Sequence, residues 1–203
     1  MTDEQSLGLR ERKKLDTRRA LSDAALELMF ERGLENVVRE DIAGRAGVSV
    51  RTFNNYFSSK FEALAYRQIE RMRRAAEILR ARPADEPLWT AITESVIAPY
   101  EADGVGWGPP SPAILAENRK LLASPEMFAA FVHGTGDELA TAVAARTGTT
   151  LADLYPKLVA AAVNAACTAA IDVYVHSDPP EIVTTILRRA LTEIARGLPD
   201  PSV

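Results

Sequence analysis

The chain has one cysteine and two histidines in 203 residues. A lone thiol, Cys167, cannot close an internal disulfide, so a cross-linked secreted scaffold is excluded and a reducing cytoplasm is the expected setting. With so few soft ligands there is no metal-finger spacing. A Gly-rich phosphate loop, a low-complexity tract and an internal repeat are also missing. Met1 to Ser6 is polar and the following segment is charged rather than apolar, which is not the layout of a secretory signal. The longest apolar run, Leu158 to Val175, is dominated by alanine and interrupted by Asn164, Thr168 and Asp172, which argues against a membrane span. The expectation is a cytoplasmic protein with no metal, no cofactor and no membrane partner.

The informative residues lie between Arg39 and Lys60, in REDIAGRAGVSVRTFNNYFSSK. Gly47 follows Ile42, Ala43 and Ala46 where a first helix must stop, and glycine tolerates the positive φ of such a C-terminal cap. Ser49 stands where an N-cap belongs, able to accept from the backbone N–H of Arg51 or Thr52, so a second helix is predicted from about Val50 to Phe57. Ile42, Val48, Phe53 and Phe57 supply the inward side. Val50, Arg51, Thr52, Asn54, Asn55 and Tyr56 remain outward, a set without acid and rich in hydrogen-bonding groups. Arg and Asn can pair with guanine and adenine edges in the major groove. Ser49, Thr52, Tyr56 and Lys60 suit phosphate contacts, which position without reading sequence. A helix-turn-helix shape by itself also occurs in proteins that touch no nucleic acid.

The wording of the segment goes further than its shape. Ile42, Ala43, Ala46, Gly47, Val48, Ser49, Thr52, Phe53, Tyr56, Phe57, Ser59 and Lys60 fall in the pattern of the tetracycline-repressor (TetR) DNA-binding signature, and the chain resembles that family as far as Leu64. The resemblance extends back through Thr17, Ala20, Leu21, Ala24, Ala25, Leu28 and Phe30 at helical spacing. It departs at Val38, where the family often has a capping, phosphate-binding Thr, leaving Arg39 as the substitute. It departs again at Phe61, where an acidic residue is more common and Glu62 is the neighbour able to replace it. The resemblance implies a three-helix DNA reader, a linking fourth helix, and a divergent helical domain that binds a small molecule and dimerises. The implied function is a ligand-responsive regulator of transcription, most simply a repressor, on a palindromic double-stranded operator.

The net charge of −4 runs against such a role. Residues 1–62, however, carry 11 Lys/Arg and 11 Asp/Glu, while residues 63–203 carry 13 and 17, so the whole deficit lies in the second part. Arg10, Arg12, Lys13, Lys14, Arg18 and Arg19 cluster ahead of the predicted first helix, either a solvated tail or a stretch laid along phosphates, Arg18 being the residue placed at DNA. The predicted domains are 1–62, the arm and reader, and 63–203, the ligand-binding and dimerisation domain.

Beyond the signature nearly everything reads as helix, with Pro and Gly clusters as punctuation. Helices are predicted at 61–81, 88–101, about 113–123, 125–145, from Thr150 and its capping partner Asp153 to about 176, and from about 180 to 197. Pro156 marks a separate first turn or a kink. With the reader this makes an all-α protein of about nine helices.

Ala161, Ala165, Ala169 and Asp172 on one helix, and Ile182, Ile186, Ala190 and Ile194 on the next, form stripes suited to a homodimer interface or to the subunit's own core. An effector pocket is sought among Met72, Trp89, Thr93, Val96, Trp107, Phe128, Phe131, Asn164, Cys167, Thr168 and Ile171, though Met and aromatic side chains at helical spacing are more often packing. Asn164 and Thr168 stand out as polar residues one turn apart on an alanine-rich helix. His133 with Asp137, and Asp172 with His176, have a spacing that could supply two metal ligands, but ordinary pairing explains it. No acid, base and nucleophile converge, so no catalytic residue is assigned. An all-α enzyme or an interaction module stays as the alternative.

Overall fold

The computed structural model describes residues 3–105, 108–134 and 136–200; at 3–7 and 132–134 the description covers the backbone alone. These residues form ten α-helices and one 3₁₀ turn, with no strand among them: α1 Asp3–Arg32, the 3₁₀ turn Leu34–Asn36, α2 Arg39–Arg45, α3 Val50–Tyr56, α4 Lys60–Ala81, α5 Leu88–Ala102, α6 Pro112–Leu122, α7 Pro125–Gly134, α8 Glu138–Thr147, α9 Leu154–His176 and α10 Val183–Ala195. The all-α expectation holds. The chain divides into two compact units, residues 1–69 with 117–134, and residues 70–116 with 135–203. The division crosses two helices: the first ten residues of α4 belong to one unit and the rest to the other, and α6 is divided between Ala116 and Glu117.

Three elements differ from the sequence expectation for local reasons. α1 starts well before Thr17, so Arg10 to Lys14 lie on a helix and not on an arm. Apolar periodicity begins only near Thr17, but Arg, Glu, Lys and Leu are strong helix formers and propagate the helix backwards without it. The helix expected over 125–145 is two, because Gly134 and Gly136 flank the break. A glycine in a helix interior costs about 1 kcal/mol against alanine, and the Asp137 carbonyl restarts the ladder by accepting from the Thr141 N–H at 2.8 Å. At α9, Asp153 does not cap the helix that follows it. Its Oδ2 accepts from Thr150 N at 2.7 Å and Thr150 Oγ1 at 2.9 Å, closing a turn before the helix. Pro156 is therefore the third helical residue, where a missing N–H breaks no hydrogen bond, and no kink is needed.

The first unit is built around one apolar cluster. Leu21, Ala25, Leu28 and Met29 of α1 meet Ile42 and Ala43 of α2, Phe53 of α3, Phe57, and Ala63 to Tyr66 of α4. Phe53 is 0% exposed, with the Phe57 ring centroid 5.9 Å away and Phe57 in turn 5.6 Å from Tyr66. Leu121, Met127 and Ala130, from much later in the chain, complete the cluster. Phe30 and Ala20 are exposed although their spacing suggested burial. Ion pairs fix α1 to α2: Arg45 holds Glu31 at 2.7 Å and Glu27 at 3.3 Å, and Arg32 holds Asp41 at 3.1 Å. The hydrogen bond from Arg45 keeps the Glu31 carboxyl below its ordinary range. The contribution of this pair is present at neutral pH and fades as pH falls through that lowered value.

The second unit has a separate core. Ala75, Ala76 and Leu79 of α4, Ala91, Ile92, Val96 and Tyr100 of α5, Val143 of α8, Val159, Val163 and Ala170 of α9, and Ile186, Leu187 and Leu191 of α10 are its main members. The alanines let helices approach closely, and α9 packs chiefly on α10 and α8. By length and hydropathy α9 could cross a membrane, yet it is an alanine-rich helix with one face in this core.

Candidate nucleic-acid interface and effector region

Backbone geometry sets the reading helix. Gly47 has φ +68°, and the two hydrogen bonds that end α2 run from Val48 N to Ala43 O at 2.9 Å and from Gly47 N to Gly44 O at 3.1 Å. This 6→1 and 5→2 pair needs a left-handed residue at Gly47. Two residues later Ser49 Oγ accepts from Thr52 N at 3.0 Å, and its hydroxyl also meets Thr52 Oγ1 at 2.9 Å, so α3 starts one residue beyond its cap. The turn, the cap and the helix are those expected from sequence.

On α3, Arg51, Asn54 and Asn55 are exposed and share one face, while Val50, Thr52 and Tyr56 are half-buried at its edges. No acidic residue lies in this helix. Val38 caps α2 without any side-chain hydrogen bond. Arg39 beside it donates from Nη1 to Asn54 Oδ1 at 3.4 Å, which ties the start of α2 to the exposed face of α3.

Two residues expected at phosphates have internal partners instead. Lys60 Nζ donates to Leu34 O at 2.8 Å and Val37 O at 3.0 Å, so its ammonium satisfies the carbonyl end of the 3₁₀ turn. Arg18 places its guanidinium 6.0 Å from the Phe57 ring centroid and 5.7 Å from that of Tyr66. In both cases sequence reveals a cation near the reader and tertiary contacts decide where it points. The other end of the 3₁₀ turn is held by Glu117, whose Oε2 accepts from Leu34 N at 2.7 Å while Lys120 Nζ donates to its Oε1 at 2.7 Å. Sequence reading missed Glu117, because a contact across 83 positions leaves no local pattern. Ser59 and Glu62 cap α4: Ser59 Oγ accepts from Glu62 N, and Glu62 accepts from Ser58 N at 2.7 Å.

Replacing Lys60 by methionine is expected to lower the stability of the first unit by about 1–3 kcal/mol, the usual range for bonds from a charged donor. The salt dependence of DNA binding should stay unchanged. A phosphate-contacting lysine would instead lower the slope of log K against log salt by about 1, so operator titrations at several salt concentrations separate the two roles.

The residues considered for an effector do not form one site. Val96 and Cys167 are core residues of the second unit, Thr93 is buried, and Met72 and Trp89 pack against the same core with Ile171 half-buried. Asn164 and Thr168 are exposed; Thr168 Oγ1 donates to Asn164 O at 2.9 Å, so they are not the buried polar pair that sequence suggested. Phe128 is 71% exposed and Phe131 packs against the first core, so both belong to the first unit. Trp107 and the His133 side chain lie outside the described residues. Among the described residues, one surface groove of the second unit runs along α10, lined by Arg188, Arg189 and Thr192, and another lies around Asp172 and Pro179, and neither includes any of the expected effector residues. Burial pushes the Cys167 thiol up to about 12, so it is not a thiolate at neutral pH. His176 Nδ1 sits 2.9 Å from Asp172 O and 3.4 Å from its carboxylate, the ordinary pairing expected for these two.

The dimer stripes separate by helix. Ala161, Ala165, Ala169 and Asp172 are exposed on α9, in line with Leu154 (68% exposed) and Leu158 (55%). Ile186 of α10 is in the subunit's own core, with Ala190 and Ile194 packed against it and Ile182 half-buried. Spacing alone could not distinguish the two, because a stripe facing a core and a stripe facing a partner have the same period. α10 has one apolar side and uses it internally; its outward side carries Arg188 and Arg189.

A capped seven-residue helix with an acid-free exposed face, set by a tight turn against the first core, has the form of a helix-turn-helix DNA reader, here joined to a helical second unit. The comparisons place it more narrowly. Residues 21–65 match the family described as bacterial regulatory proteins, tetR family, and residues 86–199 match the MftR C-terminal domain. The HTH-type transcriptional regulator TcmR of Streptomyces glaucescens is 32% identical over 165 residues, covering 78% of this chain and 73% of that protein. The chain belongs to the TetR family of transcriptional regulators. In fold it is similar to FadR of Thermus thermophilus, a TetR-family repressor in complex with lauroyl-CoA, at TM-score 0.58 and 18% identity over 92% of this chain and 97% of that one. It is also similar to the fatty acid degradation regulator FadR of Bacillus halodurans, at TM-score 0.55 and 16% identity over 90% and 96%.

Proposed function

We propose that this protein is a homodimeric repressor that reads a palindromic operator with α3 and releases it when a small apolar or amphipathic molecule binds the second unit. The observation that carries the reading is the face of α3, where Arg51, Asn54 and Asn55 project from a helix fixed by the Ser49 cap. These side chains suit guanine and adenine edges, and Ser49, Thr52, Tyr56 and Arg39 border them as phosphate donors. One seven-residue helix binds weakly. A two-fold pair presents two such helices about 34 Å apart, one turn of the duplex.

The exposed stripe of α9 supports the second copy, since Leu154, Leu158, Ala161, Ala165 and Ala169 place apolar surface in water on a helix of a regulator family. Leu158→Asp is expected to give monomers in sedimentation experiments and to weaken operator binding; a variant that stays dimeric removes α9 from the interface. The lauroyl-CoA complex of the Thermus thermophilus protein makes an acyl compound the effector class to try first. As mechanism, a ligand that binds the two states of the dimer unequally shifts their populations, with α4 one of the helices that run from one unit into the other. The decisive experiment selects duplexes from a random pool and competes the winner against scrambled duplex. Enrichment of a two-fold symmetric site supports the reading, and binding indifferent to sequence sinks it.

A further inference from the structure

We propose that Arg71 and Arg74 are the anion-accepting end of an effector site in the second unit, taken up in this structure by the Asp103 carboxylate. The effector is then an amphipathic anion whose carboxylate or phosphate head group displaces Asp103. This rests on the reading of the second unit as effector-binding and specifies the chemistry of the ligand.

Two guanidiniums converge on one carboxylate. Arg71 Nε donates to Asp103 Oδ2 at 2.9 Å, and Arg74 Nη2 lies 2.8 Å from both carboxylate oxygens. All three side chains are largely withdrawn from water, at 13%, 24% and 9% exposure. Arg74 Nε is buried without an acceptor. Buried donors ordinarily have partners, so this orphan on a planar fork built for carboxylate and phosphate is a donor that Asp103 leaves unused. Burial alone would raise the Asp103 carboxyl; the two guanidiniums outweigh it and hold the group below its usual range.

The partners are held unequally. Both arginines are fixed one turn apart along the long helix α4, whereas Asp103 stands just beyond the last residue of α5 and is followed by Gly104 at φ +73°. The carboxylate is thus the exchangeable member. Apolar surface adjoins the charges: the Arg71 guanidinium is 4.6 Å from the Tyr100 ring centroid, and Tyr100, Met72, Val105 and Tyr174 belong to the second core or pack against it. A charged fork at the border of an apolar cluster is the arrangement that an anionic head and an alkyl tail require together. Because these arginines lie on α4, which runs from one unit into the other, exchange of Asp103 for a ligand anion acts on that helix directly.

The test titrates the full chain with dodecanoate, dodecyl phosphate and dodecanol, following binding by calorimetry and operator release by gel shift. Wild-type protein is expected to bind at least one of the two anions tenfold or more tightly than dodecanol, and the better anion identifies the head group. Asp103→Asn removes the internal competitor and should bind that anion several-fold tighter. Arg74→Met should lose the preference for it over dodecanol. Arg74→Lys, which keeps the charge without the fork, should fall between and serves if the methionine variant does not fold. Weaker or unchanged anion binding by Asp103→Asn overturns the proposal, and so does failure of all three probes to bind. Operator release by dodecanol as readily as by the anions, unaffected at Arg74, overturns the proposal alone and leaves an apolar effector standing.

Discussion

Phe53→Ala is expected to destabilise the first unit by about 3–5 kcal/mol, the range for removing a buried aromatic ring from a core. The side chain is 0% exposed and is the largest fully buried one among the described residues. It is also the one fully buried side chain of α3 in the cluster shared with α1, α2 and α4, with Val50 and Tyr56 packed beside it. Its partner Phe57 at 5.9 Å adds an aromatic pairing of about 0.5–1.5 kcal/mol that would be lost with it. Since whole domains are stable by only about 5–15 kcal/mol, the reader of this variant would be substantially unfolded at moderate temperature. Urea denaturation followed by circular dichroism measures the loss, and operator binding should fall with the folded fraction. A loss below about 1 kcal/mol would show that α3 is not packed through this ring.

Arg51→Ala and Asn55→Ala test the opposite face of the same helix. Each removes a side chain able to make paired hydrogen bonds to a base edge, worth about 1–3 kcal/mol of discrimination per contact. In a two-fold dimer each substitution counts at both half-sites, about 2–6 kcal/mol, which is roughly 30-fold to 10⁴-fold in operator affinity. Both side chains are exposed, so thermal stability should stay within about 0.5 kcal/mol of wild type. Binding to scrambled duplex should change little at Asn55, which carries no charge, and modestly at Arg51, which does. Operator affinity that survives both changes would remove α3 from base reading. Asn54 is a less clean probe because its Oδ1 is the acceptor for Arg39, so its loss would also free that arginine.

The parts of the fold that the sequence revealed are those with short-range causes. Gly47 signals the end of α2 because the left-handed turn depends on the absence of a Cβ, and Ser49 signals the start of α3 because its hydroxyl reaches an N–H three residues on. The exposed positions Arg51, Asn54 and Asn55 followed from helical period, as did the core residues Ile42, Phe53 and Phe57, whereas Val50 and Tyr56, expected outward, pack against the core. At α9 the sequence left a separate first turn or a kink open, because Thr150 and Asp153 can close a turn or cap a helix with the same atoms; the structure has the separate turn.

What the sequence by itself determined is an all-helical chain of the TetR family with a reader at its start, because turn, cap and period are fixed within a few residues. Tertiary structure alone decided which cations face outward, since Lys60 and Arg18 could serve phosphate or the interior equally well by composition. It also decided that residues 117–134 join the reader, that the α10 stripe closes the subunit's own core while the α9 stripe stays exposed, and that Arg71, Arg74 and Asp103 meet. Each of these depends on groups distant in sequence choosing one partner among several of similar chemistry, and that choice is made by packing.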